Sequence, residues 1–294
     1  MRVVVTLTTM PDKYRNSDKL LVSLKSLNNQ TYKLDEIYLG LPYRCERLNI
    51  DYPEVSDEIK KLCKIIRCPD YGPITKILPA LLNEEDPSTI IITVDDDLDY
   101  NKNLVEKLIE KHKLYPNSAI GSSGMLLKNL CPNCSIYPSG KNIMYNFTKF
   151  NVPKNGRKVD AIYGYSGALY LRSFFPIKDK VYDEFIKTSI SDENLKINDD
   201  IGISGYLSIN NIERRIFPDF SGVNLSYNKN PTEISYNVYK FFTKLNLSII
   251  KAKSLGMYKN IEDIYYIDTL SFKIILLLLL LIILLITIFL FIYI

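Results

Sequence analysis

A short apolar run followed at once by three aspartates constrains the fold of this chain more than any other feature. Residues 90–94 read IIITV, and Asp95, Asp96 and Asp97 follow directly. The four β-branched apolar residues of this run predict a strand that is buried in a sheet. In open α/β sheets, ligands bind outside the carboxyl ends of the strands, so we expect the three carboxylates to lie at a ligand-binding edge.

The same carboxylates predict a divalent cation. Because side chains alternate along a strand, Asp95 and Asp97 are expected to point to one side and to share one ion. Mg²⁺ or Mn²⁺ prefers such oxygen ligands and completes its shell with water and substrate phosphates. A solvated acidic loop is one alternative. An EF-hand is excluded, although Asp95, Asp97, Asp99 and Glu106 fit its spacing, because Tyr100 replaces the required glycine and a strand precedes the run.

Strand-like and helix-like segments alternate through the first half of the chain. β-branched runs predict strands at residues 3–7, 36–40 and 63–67, and leucines at helical spacing predict helices near residues 20–27 and 104–109. This alternation is typical of an α/β fold with a doubly wound, mostly parallel sheet. Further along we expect an irregular insertion at 131–158, strands at 159–163 and 168–171, and a helix at 199–210.

Four segments resemble, in order, motifs of the GT-A type glycosyltransferases. Residues 90–97 resemble the strand and DxD motif that hold a metal against a nucleotide-sugar diphosphate. Residues 5–11 (VTLTTMP) resemble the first strand and nucleotide-binding loop of family 2-like members. Residues 26–31 (SLNNQT) are similar to their SLxxQT helix end, and residues 71–76 (YGPITK) to a GPxTK stretch of a bacterial and viral subgroup. The resemblance covers roughly residues 1–215.

The resemblance implies a glycosyltransferase that uses a nucleotide-diphospho-sugar together with Mn²⁺ or Mg²⁺. In this interpretation Asp95 and Asp97 bind the metal. Lys76 also has a physical reason to contact phosphate, because we expect a helix to begin at Thr75, and a helix N-terminus with a lysine suits anionic oxygens. A solvated lysine on a capped helix is the alternative. The residues implied in binding the donor and its metal are Thr6, Thr8, Lys76, Asp95, Asp96 and Asp97.

A second acidic pair, Asp199 and Asp200, opens the helix predicted at 199–210. In inverting GT-A enzymes an acidic residue at such a place is the general base that deprotonates the acceptor hydroxyl. The resemblance implies this role for Asp200 or Asp199 without separating them, and capping of the helix is the alternative. Residues 163–167 (YGYSG) resemble a loop that lines the acceptor side. Arg214 and Arg215 lie near the family's QxxRW element, but the sequence there is IERRIF, so that role is not carried over.

The C-terminal residues 274–294 form an uncharged, almost entirely apolar run of 21 residues. A helix of this length spans about 30 Å, the thickness of a bilayer core. The N-terminus lacks the pattern of a signal peptide. Lysines precede the run and none follows it, so we expect a tail anchor that keeps the body on the cytosolic side. The expected boundaries are 1–232 for the catalytic domain, 233–273 for a helical closing segment and 274–294 for the span.

Composition narrows the remaining possibilities. The net charge of +4 is spread without a basic stripe, so nucleic acid is not an expected partner. Five cysteines fit reduced thiols, although Cys63, Cys68, Cys131 and Cys134 are a conceivable zinc set. The single histidine, His112, is expected on a solvated helix face.

Two other functions stay open. One is a nucleotidyltransferase, although the first loop lacks the glycines that such enzymes usually carry there. The other is an inactive binding module. The sequence names neither the sugar nor a glycan, lipid or protein acceptor.

Overall fold

Within the residues that the structure describes, the predicted central sheet is present and has eight strands. The structure is a computed structural model that describes residues 1–11, 18–127, 135–136, 155–217, 222–223 and 238–259. All of these belong to one unit, Met1–Ile261. The strands are β1 (Val3–Thr8), β2 (Glu36–Pro42), β3 (Arg44–Cys45), β4 (Ile50–Asp51), β5 (Lys64–Cys68), β6 (Ile90–Thr93), β7 (Ser118–Gly121), β8 (Gly124–Met125), β9 (Ser135–Ile136), β10 (Arg157–Lys158), β11 (Ala161–Ile162), β12 (Ala168–Leu171) and β13 (Glu213–Ile216).

Helices connect most of these strands. Short 3-10 segments lie at Gly72–Lys76, Gly164–Ser166, Arg172–Phe174 and Lys178–Lys180, and a π-helical segment at Val181–Ile186. The α-helices are α1 (Leu20–Asn28), α2 (Asp57–Leu62), α3 (Leu78–Asn83), α4 (Leu104–Leu114), α5 (Lys187–Ser189), α6 (Glu193–Lys196), α7 (Asp199–Ile209) and α8 (Val238–Ser254).

The strand order of the large sheet is β10-β13-β7-β12-β6-β1-β2-β5. β5, β2, β1 and β6 run parallel to one another, and β7 runs parallel to β13. β12 is antiparallel to both of its neighbours, β6 and β7. The expectation of an α/β fold with a mostly parallel sheet is therefore confirmed for the part of the chain that the structure describes.

Helices cover both faces of the sheet, as a doubly wound fold requires. Val3, Val5 and Leu7 of β1 pack in one core with side chains of α1, α2 and α4. Val4, between them in sequence, packs in a second core with side chains of α3 and α7. The alternation of a single strand thus serves two cores, because successive side chains leave a strand on opposite faces.

Most predicted elements are confirmed to within two residues, with α4 continuing to Leu114. The prediction that a helix begins at Thr75 is wrong. A 3-10 segment ends at Lys76, and α3 begins at Leu78. Pro79 explains the break, because its ring would clash with the carbonyl of Thr75 in a continuous helix and is tolerated only in a first turn.

The prediction that His112 lies on a solvated helix face is also wrong. Its side chain is buried rather than solvated, with only 7% of its surface exposed, and burial lowers its pKa. It follows Leu104 and Leu108 at intervals of one helical turn, so it lies on the apolar stripe of α4 that faces the core.

The C-terminal part of the described chain packs against the helix that carries the predicted base. Tyr258 donates a hydrogen bond of 2.9 Å to the carbonyl of Ile201 in α7, and Asn198 donates one of 2.6 Å to Ser248 of α8. No helix in the described ranges is both long and apolar enough to cross a bilayer. The predicted span at 274–294 and most of the insertion at 131–158 lie outside the described residues, although β9 and β10 fall within the insertion.

Candidate active site

The carboxyl ends of β1 and β6 bring the first loop and the acidic segment together. The two strands are parallel neighbours, with Thr6 opposite Thr93. The pairing extends one residue further, where the Val94 amide donates to the carbonyl of Thr6 at 3.3 Å. As a result, the aspartates lie beside the loop that follows β1, at the edge where α/β sheets bind ligands.

Asp95 and Asp96 point to different partners. The strand ends at Thr93 and the chain bends at Asp96 and Asp97, so strict alternation does not continue through the acidic segment. The Asp95 carboxylate forms an ion pair with Lys76. Asp96 is buried and accepts a 2.5 Å hydrogen bond from the hydroxyl of Thr9. Within the described residues, no group of three or more His, Cys, Asp and Glu side chains could hold a metal.

Helix α1 holds the loop that carries these aspartates. The Leu98 amide donates to the hydroxyl of Ser23 at 3.0 Å, and the Tyr100 amide donates to that of Ser26 at 3.0 Å. The carboxamide of Gln30 accepts from the Val105 amide at 3.1 Å, at the start of α4. The SLNNQT segment therefore has a structural role here, because it satisfies backbone groups of the acidic loop.

Tyr100 joins the acidic loop to the turn that the sequence placed on the acceptor side. Its buried hydroxyl accepts from the Asp95 amide at 2.8 Å and lies 2.9 Å from the carbonyl of Tyr165. Burial raises the pKa of Tyr100 well above its usual value, so the hydroxyl keeps its proton and can donate. Sequence reasoning missed this residue, because a tyrosine after an acidic run carries no recognisable signal.

Lys76 lies between the two acidic groups. Its backbone is tied to β1, since the hydroxyl of Thr6 donates to the Lys76 carbonyl at 2.5 Å. Its ammonium is almost fully buried and forms ion pairs with Asp95 and, at 2.8 Å, with Asp199. Burial alone would lower the pKa of Lys76, but the charges of Asp199, Asp95 and Asp200 outweigh it and raise the pKa, so the group stays charged.

Asp200 occupies a different environment from Asp199, although both lie in the first turn of α7. The cap position belongs to Asn198, and the Asp200 carboxylate instead accepts a 2.8 Å hydrogen bond from the amide of Gly164. Burial and the neighbouring Asp199 raise the pKa of Asp200 well above its usual range, against the opposing effects of Lys76 and the Gly164 amide. The two aspartates that the sequence could not separate are therefore chemically distinct.

Gly164 has a steric reason to be glycine. A Cβ atom at this position would lie 3.1 Å from the Asp200 carboxylate and 3.8 Å from the Lys76 ammonium. The residue begins the 3-10 turn Gly164–Ser166, and the rings of Tyr163 and Tyr165 on either side are 5.9 Å apart. This turn therefore brings a backbone amide to the Asp200 carboxylate without filling the space beside it.

The other predicted residues lie as follows. The Thr8 hydroxyl donates to the carbonyl of Gly40 at 2.8 Å, and the donor contacts predicted for Thr6 and Thr8 stay predictions. Arg214 donates to the carbonyl of Asp160 at 3.0 Å. Arg215 lies over the ring of Tyr115 at 4.2 Å. Both arginines thus have structural partners on or beside β13.

The conceivable zinc set does not assemble from its described members. Cys63 directly precedes β5, and Cys68 is the last residue of this strand. At about 3.3 Å per residue, the strand separates the two cysteines by roughly 16 Å. Both are buried free thiols, and burial raises the pKa of Cys63 to about 12 and that of Cys68 to about 11. Cys131 and Cys134 lie outside the described residues.

Comparison with known proteins gives a limited likeness. No protein-family model matches the chain, and no curated protein matches it. Among solved structures it is similar to S. aureus TarS 1-349, with 13% identity and a TM-score of 0.43 over 76% of this chain. The chain spans 59% of that fragment. The complex with UDP gives 14% identity and a TM-score of 0.43, over 76% of this chain and 59% of that one. The complex with UDP-GlcNAc gives 12% identity and a TM-score of 0.43, over 85% of this chain and 66% of that one. At these TM-scores the likenesses establish neither a family nor an activity.

Proposed function

We propose that the chain is a GT-A type glycosyltransferase that moves a sugar from a nucleotide-diphospho-sugar to an acceptor hydroxyl with inversion. One observation carries the proposal: the Asp95–Asp97 loop, the buried Lys76 and the Asp199–Asp200 pair meet at one edge of the sheet. The reaction requires charge stabilisation of a leaving diphosphate and a base for the acceptor hydroxyl. This cluster supplies residues for both requirements.

Asp200 is the proposed base. Its raised pKa makes its carboxylate a better proton acceptor near neutral pH than an ordinary aspartate, whereas Asp199 is engaged by the Lys76 ammonium. In the proposed step Asp200 takes the proton of the acceptor hydroxyl, and the acceptor oxygen bonds to the anomeric carbon of the sugar. The bond between that carbon and the diphosphate breaks on the opposite face, and the nucleoside diphosphate leaves with the electron pair.

Asp95 and Asp97 fit a divalent cation by their chemistry. Both offer carboxylate oxygens at the ligand-binding edge, and the Asp95 side chain is one-third exposed. Mn²⁺ or Mg²⁺ held there would supply positive charge for the leaving diphosphate. Asp96 anchors the loop through Thr9, so we assign it a supporting place beside the diphosphate.

The membrane location is a separate proposal. The 21 uncharged residues at 274–294 support a C-terminal anchor that leaves the catalytic domain on the cytosolic side. Nucleotide sugars are made on that side. The acceptor, whether glycan, lipid or protein, is left to experiment.

A donor screen tests the proposed function. The full chain, purified in detergent because of its apolar C-terminal run, would be incubated with a panel of nucleotide sugars that begins with UDP-GlcNAc. Release of the free nucleoside diphosphate would be measured with Mn²⁺ and with EDTA. We expect metal-dependent release from one donor, its loss in Asp97→Ala, and no change in the exposed control Asp183→Ala. If no donor is cleaved and none raises the melting temperature, the inactive binding module replaces this proposal.

A further inference from the structure

Lys76 joins the donor side of the proposed site to the side that carries Asp200. Lys76 is fixed to the donor side by its backbone, because the Thr6 hydroxyl of β1 holds its carbonyl. Its side chain reaches Asp95 on the same side and Asp199 at the start of α7. Asp199 immediately precedes the proposed base, so the ammonium connects the donor-binding loop to the helix turn that carries Asp200.

Burial makes this connection strong. The exposed fractions of the side chains are 7% for Lys76 and 12% for Asp199, so water solvates neither charge well. A buried charge that loses its partner is strongly destabilising, whereas an exposed pair contributes little. Without the ammonium, Asp95, Asp199 and Asp200 would repel one another, and only the hydrogen bond from the Gly164 amide to Asp200 would oppose that repulsion at the first turn of α7.

We propose that Lys76 is a positioning residue that couples the donor side of the site to the base side. The inference rests on the proposed function for its catalytic consequence, but the coupling itself is a property of the fold. It differs from the expectation drawn from the sequence, in which Lys76 contacts only phosphate. In the structure the lysine holds Asp199 and thereby sets the place of Asp200.

A stability cycle tests the coupling without any substrate. The melting temperature of the full chain would be measured for Asp95→Asn, Asp199→Asn and the double variant. With Lys76 present, either carboxylate alone still pairs the ammonium, so we expect the double variant to lose about 2–6 °C more than the two single shifts together. In a Lys76→Met background this excess should vanish. Lys76→Gln serves as a second neutral background if the methionine variant does not fold.

A matched pair supplies the control for the cycle. Lys25 and Glu58 also bridge two elements at 2.7 Å, but both side chains are more than half exposed. The cycle of Lys25→Met with Glu58→Gln should be additive. Additive shifts for Asp95 and Asp199 with Lys76 present would overturn the proposal. An excess that persists in the neutral background would overturn it as well, because the coupling would then run through other groups.

Kinetics tests the positioning role. Once a donor is known, Lys76→Met should lower kcat about 100-fold, since a displacement of about 1 Å has an effect of this size. The dissociation constant of the donor should change by less than about threefold, and Lys76→Arg should restore part of kcat. A donor affinity that falls about 100-fold while kcat is unchanged would identify a phosphate contact and overturn the role. If the wild-type chain cleaves no donor, the proposed function fails, and the stability cycle still decides the coupling.

Discussion

Two charge clusters, each around one buried charged side chain, lie at opposite ends of one short segment and are built differently. The segment begins with Gly72–Lys76, continues as α3 and ends at Glu84. At its far end Glu84 receives two hydrogen bonds from Arg2, at 2.7 and 2.9 Å, and one of 2.7 Å from the hydroxyl of Tyr38. The Glu84 carboxylate, the Arg2 guanidinium and the Tyr38 hydroxyl therefore satisfy one another at that end.

The cluster at the near end is not balanced. Lys76 faces Asp95, Asp199 and Asp200, so its single positive charge meets three carboxylates. Burial of an excess of like charge is unfavourable unless a proton or a cation relieves it. The comparison teaches that a buried ion pair on this sheet is not by itself a sign of function. The informative feature is the excess of negative charge around Lys76, and in the proposed function this is the end of the segment where the ligand binds.

The largest expected effect is at the Lys76 end of the segment, where one substitution should lower activity and raise stability. Asp200→Asn should lower kcat by about 100- to 10,000-fold, the usual contribution of a general base. The same change should raise the melting temperature, because it removes a carboxylate whose charge is disfavoured by burial and by Asp199. Turnover and thermal unfolding at pH 7 would check both. A variant that is less active and also less stable would contradict the charge imbalance.

At the balanced end the expected effect is on stability alone. Glu84→Gln should lower the free energy of unfolding by about 1–3 kcal/mol, the range for a buried hydrogen-bonded group that loses a charged partner. Arg2 is 41% exposed and can turn to water, which keeps the loss in that range. Denaturant unfolding measures it. A drop of kcat by more than about tenfold would show that the two ends are not independent.

A smaller effect is expected from filling the space beside Asp200, the proposed base. The Cβ atom of Gly164→Ala would press on the Asp200 carboxylate from 3.1 Å. We expect kcat to fall about tenfold, equivalent to about 1.4 kcal/mol, with little change in donor affinity. Gly202→Ala on α7 is a suitable comparison, because the nearest atoms to its Cβ lie at 3.4 Å, an ordinary contact distance. Equal losses in both variants would argue against a specific role for Gly164.

The smallest expected effect is a slope in stability with pH. The folded pKa of Asp200 is raised, so between its unfolded value, about 3.9, and its folded value the native state binds the proton more tightly. The free energy of unfolding therefore falls as pH rises through that window. Unfolding curves of the wild type and of Asp200→Asn at several pH values would isolate this contribution.

The sequence predicts the sheet well and the cluster only partly. β-branched runs fix β1 and β6 because burial on both faces leaves few other structures for them. Parallel neighbours then bring their carboxyl ends together, so the place of Asp95 follows from the strand pattern. The approach of α7 does not follow, because it depends on tertiary packing of residues more than a hundred positions away. The ion pair between Lys76 and Asp199 is for that reason invisible in the sequence.

Two local features limit what sequence reasoning can say. Strand alternation holds only while the chain stays extended, and the bend begins at Asp96, so the common direction of Asp95 and Asp97 stays a prediction. His112 looks solvated because its neighbours are lysines, although its spacing from Leu108 places it on the buried stripe. For His112, helical periodicity is the better guide than the composition of its neighbours.

The hold of α1 on the acidic loop has a consequence for how this chain can vary. Ser23, Ser26 and Gln30 each satisfy a backbone amide between Leu98 and Val105. One added or deleted residue in that stretch would shift every later amide away from its partner and leave buried backbone groups unsatisfied. The length of the segment from Val94 to Leu104 is therefore fixed more strictly than its side chains. Related chains should tolerate substitutions there far better than insertions or deletions.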